Sequence, residues 1–191
     1  MKHFLNLCLA AALAACSAPT EPTAPAASAV ATDSADVANE LAVQQAVQHT
    51  FDGLAAHDSA MLAAVVLPES NFQRWAVDSL GTWRTVNMSG AAFTSRLGQP
   101  GPAYLERTWD AHVQIDGAVA VYAAPYDFWV EQTCSHCGID AIVLLQTEPA
   151  ESEFGGWRIA SLTYTVDATG ETACRERFPA MPASPFSSDK E

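Results

Sequence analysis

Two segments in the middle of the chain, "AVAVYAAPYDFWV" at 118–130 and "GIDAIVLLQ" at 138–146, are apolar at odd and even positions alike. Successive side chains of a strand point to opposite faces, so strands of this kind need cover on both sides of their sheet. That requirement restricts the chain to layered folds in which something packs against each face. The turn signal Asp116-Gly117 introduces the first segment. Ahead of it, "YLERTWDAHVQID" at 104–116 alternates, with Leu105, Trp109, Val113 and Ile115 on one side and Glu106, Thr108, Asp110, His112 and Gln114 on the other. This pattern predicts a single long strand with one wet face. "NFQRWAV" and "GTWRTVNM" bracket Asp78-Ser79-Leu80-Gly81 as a hairpin, and "GWRIASLTYTV" closes the set.

Helical spacing is confined to the first half. Val43, Val47, Phe51 and Leu54 recur at intervals of three and four, predicting an amphipathic helix over 37–56. Asp58 is placed to cap a second, short helix over Met61, Leu62, Val65 and Val66 that Pro68 ends. Ser89 and Gly98 bound a third at 89–97. Helices early and long strands late give an α+β domain, its helices packed on one face of a curved antiparallel or mixed sheet. The apolar second face then needs another cover, and a second copy of the chain, a homodimer, is the expected one.

Of 191 residues, 22 are acidic and 9 basic, for a formal charge of −13. The arginines are scattered singly, without the basic stripe that binding to phosphate backbones needs, so no nucleic-acid partner is expected. "MKHFLNLCLAAALAAC" has the layout of a secretory signal: Lys2, an apolar stretch, then small residues. Its end, Leu13-Ala14-Ala15-Cys16, resembles the bacterial lipobox. That resemblance implies a signal peptide at 1–15, lipidation of Cys16 and anchorage in the bilayer. Ser17 is not the aspartate that favours inner-membrane retention in such lipoproteins, so the expected location is the outer membrane, facing the periplasm. Residues 16–35 are rich in Pro, Ala, Ser and Thr and read as a tether. The folded domain is expected over 36–175, with 176–191 as a C-terminal tail.

The first helix running into "HDSAMLAAVVLPESNF", Glu106 ahead of "AVAVYAAPYDFW", and "SHCGIDAIVLLQT" followed by "GWRIASLTYTV" resemble the NTF2-like superfamily, also called SnoaL-like or cystatin-like. One bacterial branch has a very similar Tyr-x-Phe, His-Cys-Gly and Trp-x-Ile pattern and a cysteine after the last strand, here Cys174. The resemblance implies a cone with a pocket between the long helix and the bent sheet. The superfamily includes ketosteroid isomerase, which needs a carboxylate base, a tyrosine donor and a protonated strand aspartate. Here the base position falls at Arg74 and the tyrosine position at Thr50, and only Asp140 matches, which argues against that chemistry.

Asp140 lies on a strand face with Ile142 and Leu144, where an apolar setting resists ionisation. It is either an acid or a buried carboxylate satisfied by backbone amides or by an arginine such as Arg107 or Arg158. Tyr126, Asp127 and Asp140 are the expected pocket residues, and Asp140 with His136 the candidate acid/base pair. The loop "EPAESEFGG" at 148–156 is either a flap over the cone or surface chain.

In "TCSHCG" a strand rather than a helix follows the cysteines, so the amide dipole that activates a redox thiol is missing. Extended geometry would also point Cys134 and Cys137 to opposite faces. A zinc site from Cys134, His136, Cys137 and Cys174 lacks the usual second close pair, so no metal or other cofactor is expected. The favoured account is a disulfide between Cys137 and Cys174, with Cys134–Cys174 the competing bond. Taken together, the sequence points to a lipid-anchored envelope protein that binds a small, mainly apolar ligand or serves as an accessory module. The alternatives are a lyase or isomerase using Asp140 and His136, and a dimerisation or partner-binding module without a ligand.

Overall fold

A computed structural model describes residues 34–149 and 152–186. The signal segment, Cys16 and most of the tether lie outside the described residues. Helix α1 spans Ser34–Ala56 and buries Val43, Ala46, Val47, Thr50, Phe51, Gly53 and Leu54, one stripe of a 3.6-residue period. Its partner α2, Ser59–Val65, is capped by Asp58, whose Oδ1 accepts from the amides of Ala60 at 2.8 Å and Met61 at 3.1 Å.

The chain then enters β1, Val66–Val77, turns at Asp78 into β2, Trp83–Ser89, and passes to α3, Gly90–Leu97, capped by Ser89. β3, Tyr104–Thr108, and β4, His112–Asp116, precede the long β5, Val119–Val130, and β6, Thr133–Gln146. β7, Trp157–Val166, the short β8, Ala168–Thr169, and α4, Glu171–Arg177, complete the described elements. The sheet runs β2-β1-β7-β6-β5-β3, with β4 also on β5 and β8 on β6. All neighbours are antiparallel except β1 and β7, which are parallel. α1, α2 and α3 pack on one face of this open, curved mixed sheet, the α+β arrangement expected, and α4 lies on the other.

The single strand expected over 104–116 is two strands. The break lies at Trp109–Ala111, where Asp110 takes a left-handed φ of 47°. Crossing it reverses which residues face the helices: Leu105 and Trp109 lie on the outer face, whereas Val113 and Ile115 join the inner core. Glu106 and Thr108, expected to be wet, therefore face inward.

The inner core joins α1 to Phe72, Ala120, Tyr122, Ile142, Leu144, Trp157 and Ile159. A second cluster on the outer face contains Trp129, Cys134, Cys137, Cys174 and Met181, flanked by Leu105, Trp109 and Phe178. The outer face there is covered by this chain's own C-terminal segment, so the cover attributed to a second copy is in part supplied from within. Cys137 and Cys174 are joined by a disulfide that closes 37 residues, and Cys134 is free and buried. Cys134 and Cys137 do not point to opposite faces. Trp129 pairs with Cys134 and Phe128 with His136, leaving Ser135 as an extra residue that restores both cysteines to one side. Elsewhere the outer face stays open, with Val119 44% and Val121 42% exposed.

Arg107 ties the tail down. Its guanidinium donates to both oxygens of Asp127, which is fully buried, and to the Ala183 carbonyl at 2.8 Å. Arg175 donates to the carbonyls of Met181 and Pro182. In the 148–156 loop, Phe154 sits 4.7 Å from the His49 ring on α1, so its described part is bound to the helix.

Candidate functional site

A cavity of about 420 Å³ lies between α1, α3 and the inner sheet face. Each strand contributes residues of one parity. α1 contributes Phe51 and Leu54, β1 Phe72 and Arg74, β2 Val86 and Met88, and α3 Phe93, Arg96 and Leu97. β3 contributes Tyr104 and Glu106, β5 Tyr126, Phe128 and Val130, β6 His136, and β7 Leu162 and Tyr164. Phe72 and Phe93 stack with centroids 4.0 Å apart, which fixes α3 against β1. Val86, at 56% exposed, and the exposed Arg74 and Arg96 mark the mouth.

At depth the cavity meets two carboxyl groups. Glu106 is half-buried, the surface it keeps being the cavity wall; Asp140 behind it has none. No donor reaches either oxygen of Asp140, and the Glu106 carboxyl stands within hydrogen-bonding reach of it. Two ionised carboxylates have only acceptors to offer each other, so the contact becomes a hydrogen bond only when one of them carries a proton. Burial raises the pKa of Glu106 well above the usual carboxylate range, and the negative charges of Asp140 and Asp127 raise it further. Asp140 is raised too, by burial, while its bond with Glu106 works in the other direction. The raised pKa values favour a protonated pair, whose mutual hydrogen bond uses the carboxyl proton and leaves Glu106 facing the cavity with an acceptor oxygen.

The other polar groups divide into committed and free ones. Tyr126 donates its hydroxyl to the Thr165 carbonyl at 2.8 Å, and burial raises its pKa. That carbonyl crosses the place a side chain at 138 would occupy: a Cβ on Gly138 would lie 1.9 Å from it. Gly138 therefore lets the end of β7 close the floor of the cone. Tyr122 shares a 2.8 Å hydrogen bond with Thr108. His136, its Nδ1 3.0 Å from the Ser135 hydroxyl, is pushed down to about 4 by burial and by Arg74, so it enters the cavity as neutral imidazole. Tyr164, paired with Arg74 across β1 and β7, has no hydrogen-bond partner among the described residues.

Of the three residues expected to line a pocket, Tyr126 does so, Asp140 stands one layer behind, and Asp127 points the opposite way into its ion pair with Arg107. The alternation of β5 explains Asp127, since 126 and 128 face inward. His136 and Asp140 share an inner face but are four residues apart on β6, about 13 Å between Cα atoms at strand rise, and Asp140 does not open to the cavity. They do not form an acid/base pair. Glu106, missed as a site residue, takes the cavity position assigned to Asp140. Among the described residues no cluster of His, Cys, Asp and Glu has metal-holding geometry.

No protein-family profile and no curated protein matches the sequence. Solved structures do. A Mycobacterium tuberculosis protein of unknown function superposes with a TM-score of 0.55 at 15% identity, over 74% of this chain and 78% of that one. An NTF2-like superfamily protein from Salmonella enterica gives 0.51 at 13% identity, over 71% and 95%. An NTF2-like protein with a cystatin-like fold from Novosphingobium aromaticivorans gives 0.52 at 12%, over 75% and 96%. The fold is NTF2-like. At these identities the likeness extends to the fold alone, and the carboxyl pair, disulfide and tail of this NTF2-like domain are argued from its own residues.

Proposed function

We propose that this NTF2-like domain binds a small, mainly apolar molecule in its cavity, and that it does so in the bacterial envelope, held to the outer membrane through lipidated Cys16. The observation that carries the ligand reading is the cavity itself. About 420 Å³ lies within the range of small-molecule sites. Its walls are mostly aromatic and aliphatic, with a few polar groups among them, Glu106, His136 and Tyr164. Anchorage rests on the Leu13-Ala14-Ala15-Cys16 sequence. The open outer face around Val119, Val121 and Ile139 is where a second copy would pack. The ligand reading is tested by purifying the protein from its native membranes and extracting bound molecules for mass spectrometry. Wild type should release a defined apolar species and a Met88→Trp variant, which fills the cavity, should not; equal release from both would refute it. Cys16→Ser should move the protein from the membrane to the soluble fraction.

One observation favours a lyase or isomerase as the second reading. A carboxyl group kept protonated by burial and by a neighbouring carboxylate is a usual device for proton transfer near neutral pH. In that reading Glu106 supplies the acid, Asp140 raises its pKa, and neutral His136 is the base. Incubating the extracted ligand with protein in deuterium oxide separates the readings, because only proton transfer at carbon exchanges deuterium into the ligand.

A further inference from the structure

The described residues contain seven arginines, and five of them sit in ion pairs: Arg84 with Asp78, Arg107 with Asp127, Arg158 with Glu148, Arg175 with Glu171, and Arg177 with Asp167. The other two, Arg74 and Arg96, have no carboxylate and no hydrogen-bond acceptor among the described residues, and both line the cavity. In a chain with 22 acidic residues, an arginine without a carboxylate is the exception. Two such exceptions at one opening make a local positive site on an acidic molecule.

Their placement is specific. Arg74 on β1 pairs with Val86 on β2 and Tyr164 on β7, so its side chain leaves the sheet on the inner face beside a hydroxyl without a partner. It is close enough to His136, Tyr126 and Tyr164 for its charge to act on all three. Arg96 reaches the cavity from the opposite wall, in the last turn of α3. Phe128, Leu162 and Tyr126 line the cavity with them and with Glu106. The cavity therefore combines a cationic mouth, apolar walls and a buried carboxyl pair.

Resting on the ligand-binding reading above, we propose that the ligand is an amphiphilic anion. Its carboxylate, sulfonate or phosphate head is held between Arg74 and Arg96, its apolar body fills the middle, and any hydroxyl or amine at the far end donates to Glu106. Charge-assisted contacts from guanidinium to a planar or tetrahedral anion are among the stronger hydrogen bonds available. A partly exposed mouth keeps the cost of desolvating the head small, and the bound proton spares the anion a full repulsion from the two carboxyls.

The test compares two fluorescent probes with nearly the same skeleton. 8-Anilinonaphthalene-1-sulfonate carries the anion, and N-phenyl-1-naphthylamine lacks it. Each is titrated against wild type, Arg74→Gln, Arg96→Gln, the double variant and Met88→Trp, at low and at physiological salt. The sulfonate should bind wild type at least tenfold tighter than the neutral probe, and its affinity should weaken with salt. The double variant should lose that advantage while holding the neutral probe within about twofold of wild type. Met88→Trp should reduce both probes, placing them in the cavity rather than on the open sheet face. Circular dichroism of each variant checks that it is folded. Equal affinities in wild type, or an unaltered preference in the double variant, would overturn the anionic head and leave the apolar pocket standing. Failure of wild type to bind either probe, or binding that Met88→Trp leaves unaltered, would overturn both.

Discussion

Glu106→Gln removes the proton shared with Asp140 and offers an amide N–H₂ to its carboxylate. Unfolded, Glu106 titrates near pH 4.5 and is mostly ionised by pH 5; folded, its raised pKa keeps the proton to higher pH. Above pH 5 the native state therefore holds more proton at this group than the unfolded state, and the contribution of this group to stability falls as pH rises. The slope is at most about 1.4 kcal/mol per pH unit for one proton. His136 acts oppositely. Its folded pKa of about 4 lies below the ordinary 6.5, so the unfolded state binds more protons between these values and stability falls as pH drops through that window. Because the two slopes oppose one another, the informative quantity is the difference between wild type and variant, in which His136 and the rest of the chain cancel. Urea unfolding followed by the fluorescence of Trp129 and Trp157, each 1% exposed, supplies it. The variant should gain on wild type as pH rises above 5, by up to about 1.4 kcal/mol per pH unit. Parallel profiles for the two proteins would refute the shared proton.

Cys174→Ser, or reduction of wild type, should lower stability by about 4 kcal/mol in the chain-entropy treatment of a 37-residue loop, seen as a lower urea midpoint. Arg107→Met strands the buried Asp127 carboxylate and should cost roughly 3–5 kcal/mol by the same measurement. Arg107→Met with Asp127→Leu should recover most of that loss. Cys134, 4% exposed and with its thiol pushed up to about 11 by burial, should resist iodoacetamide at pH 8 in the native protein and react once urea is added, read by peptide mass mapping.

Local signals in the sequence were faithful where the deciding atoms are neighbours along the chain. Asp58 and Ser89 cap helices because an N-cap needs only its own side chain and the amides two or three residues on. The both-parity strands β5 and β6 are central for the reason their pattern gives. Glu106 escaped because alternation separates apolar from polar faces and does not separate a face turned to water from one turned into a polar cavity. A signal did exist: a strand with Leu105 and Arg107 on one side and Glu106 and Thr108 on the other has no evident wet face. The break at Asp110 carried no glycine or proline to announce it. The Ser135 bulge was hidden likewise, since strand parity alone separates Cys134 from Cys137. The cover over Trp129 came from residues 171–186, whose short helix and prolines give little periodicity to read.

The left-handed residue at Asp110 acts as a phase shifter in a single extended stretch. Upstream of it one register aims Glu106 at the cavity and Leu105 at the tail; downstream the opposite register aims Val113 and Ile115 at the core. The two halves can therefore change independently. Deleting one residue between 109 and 111 would remove the phase shift, regularise the pairing with β5 and leave both halves facing as they do. Substitutions that alter the polar end of the cavity need not disturb the packing that holds the sheet to α1.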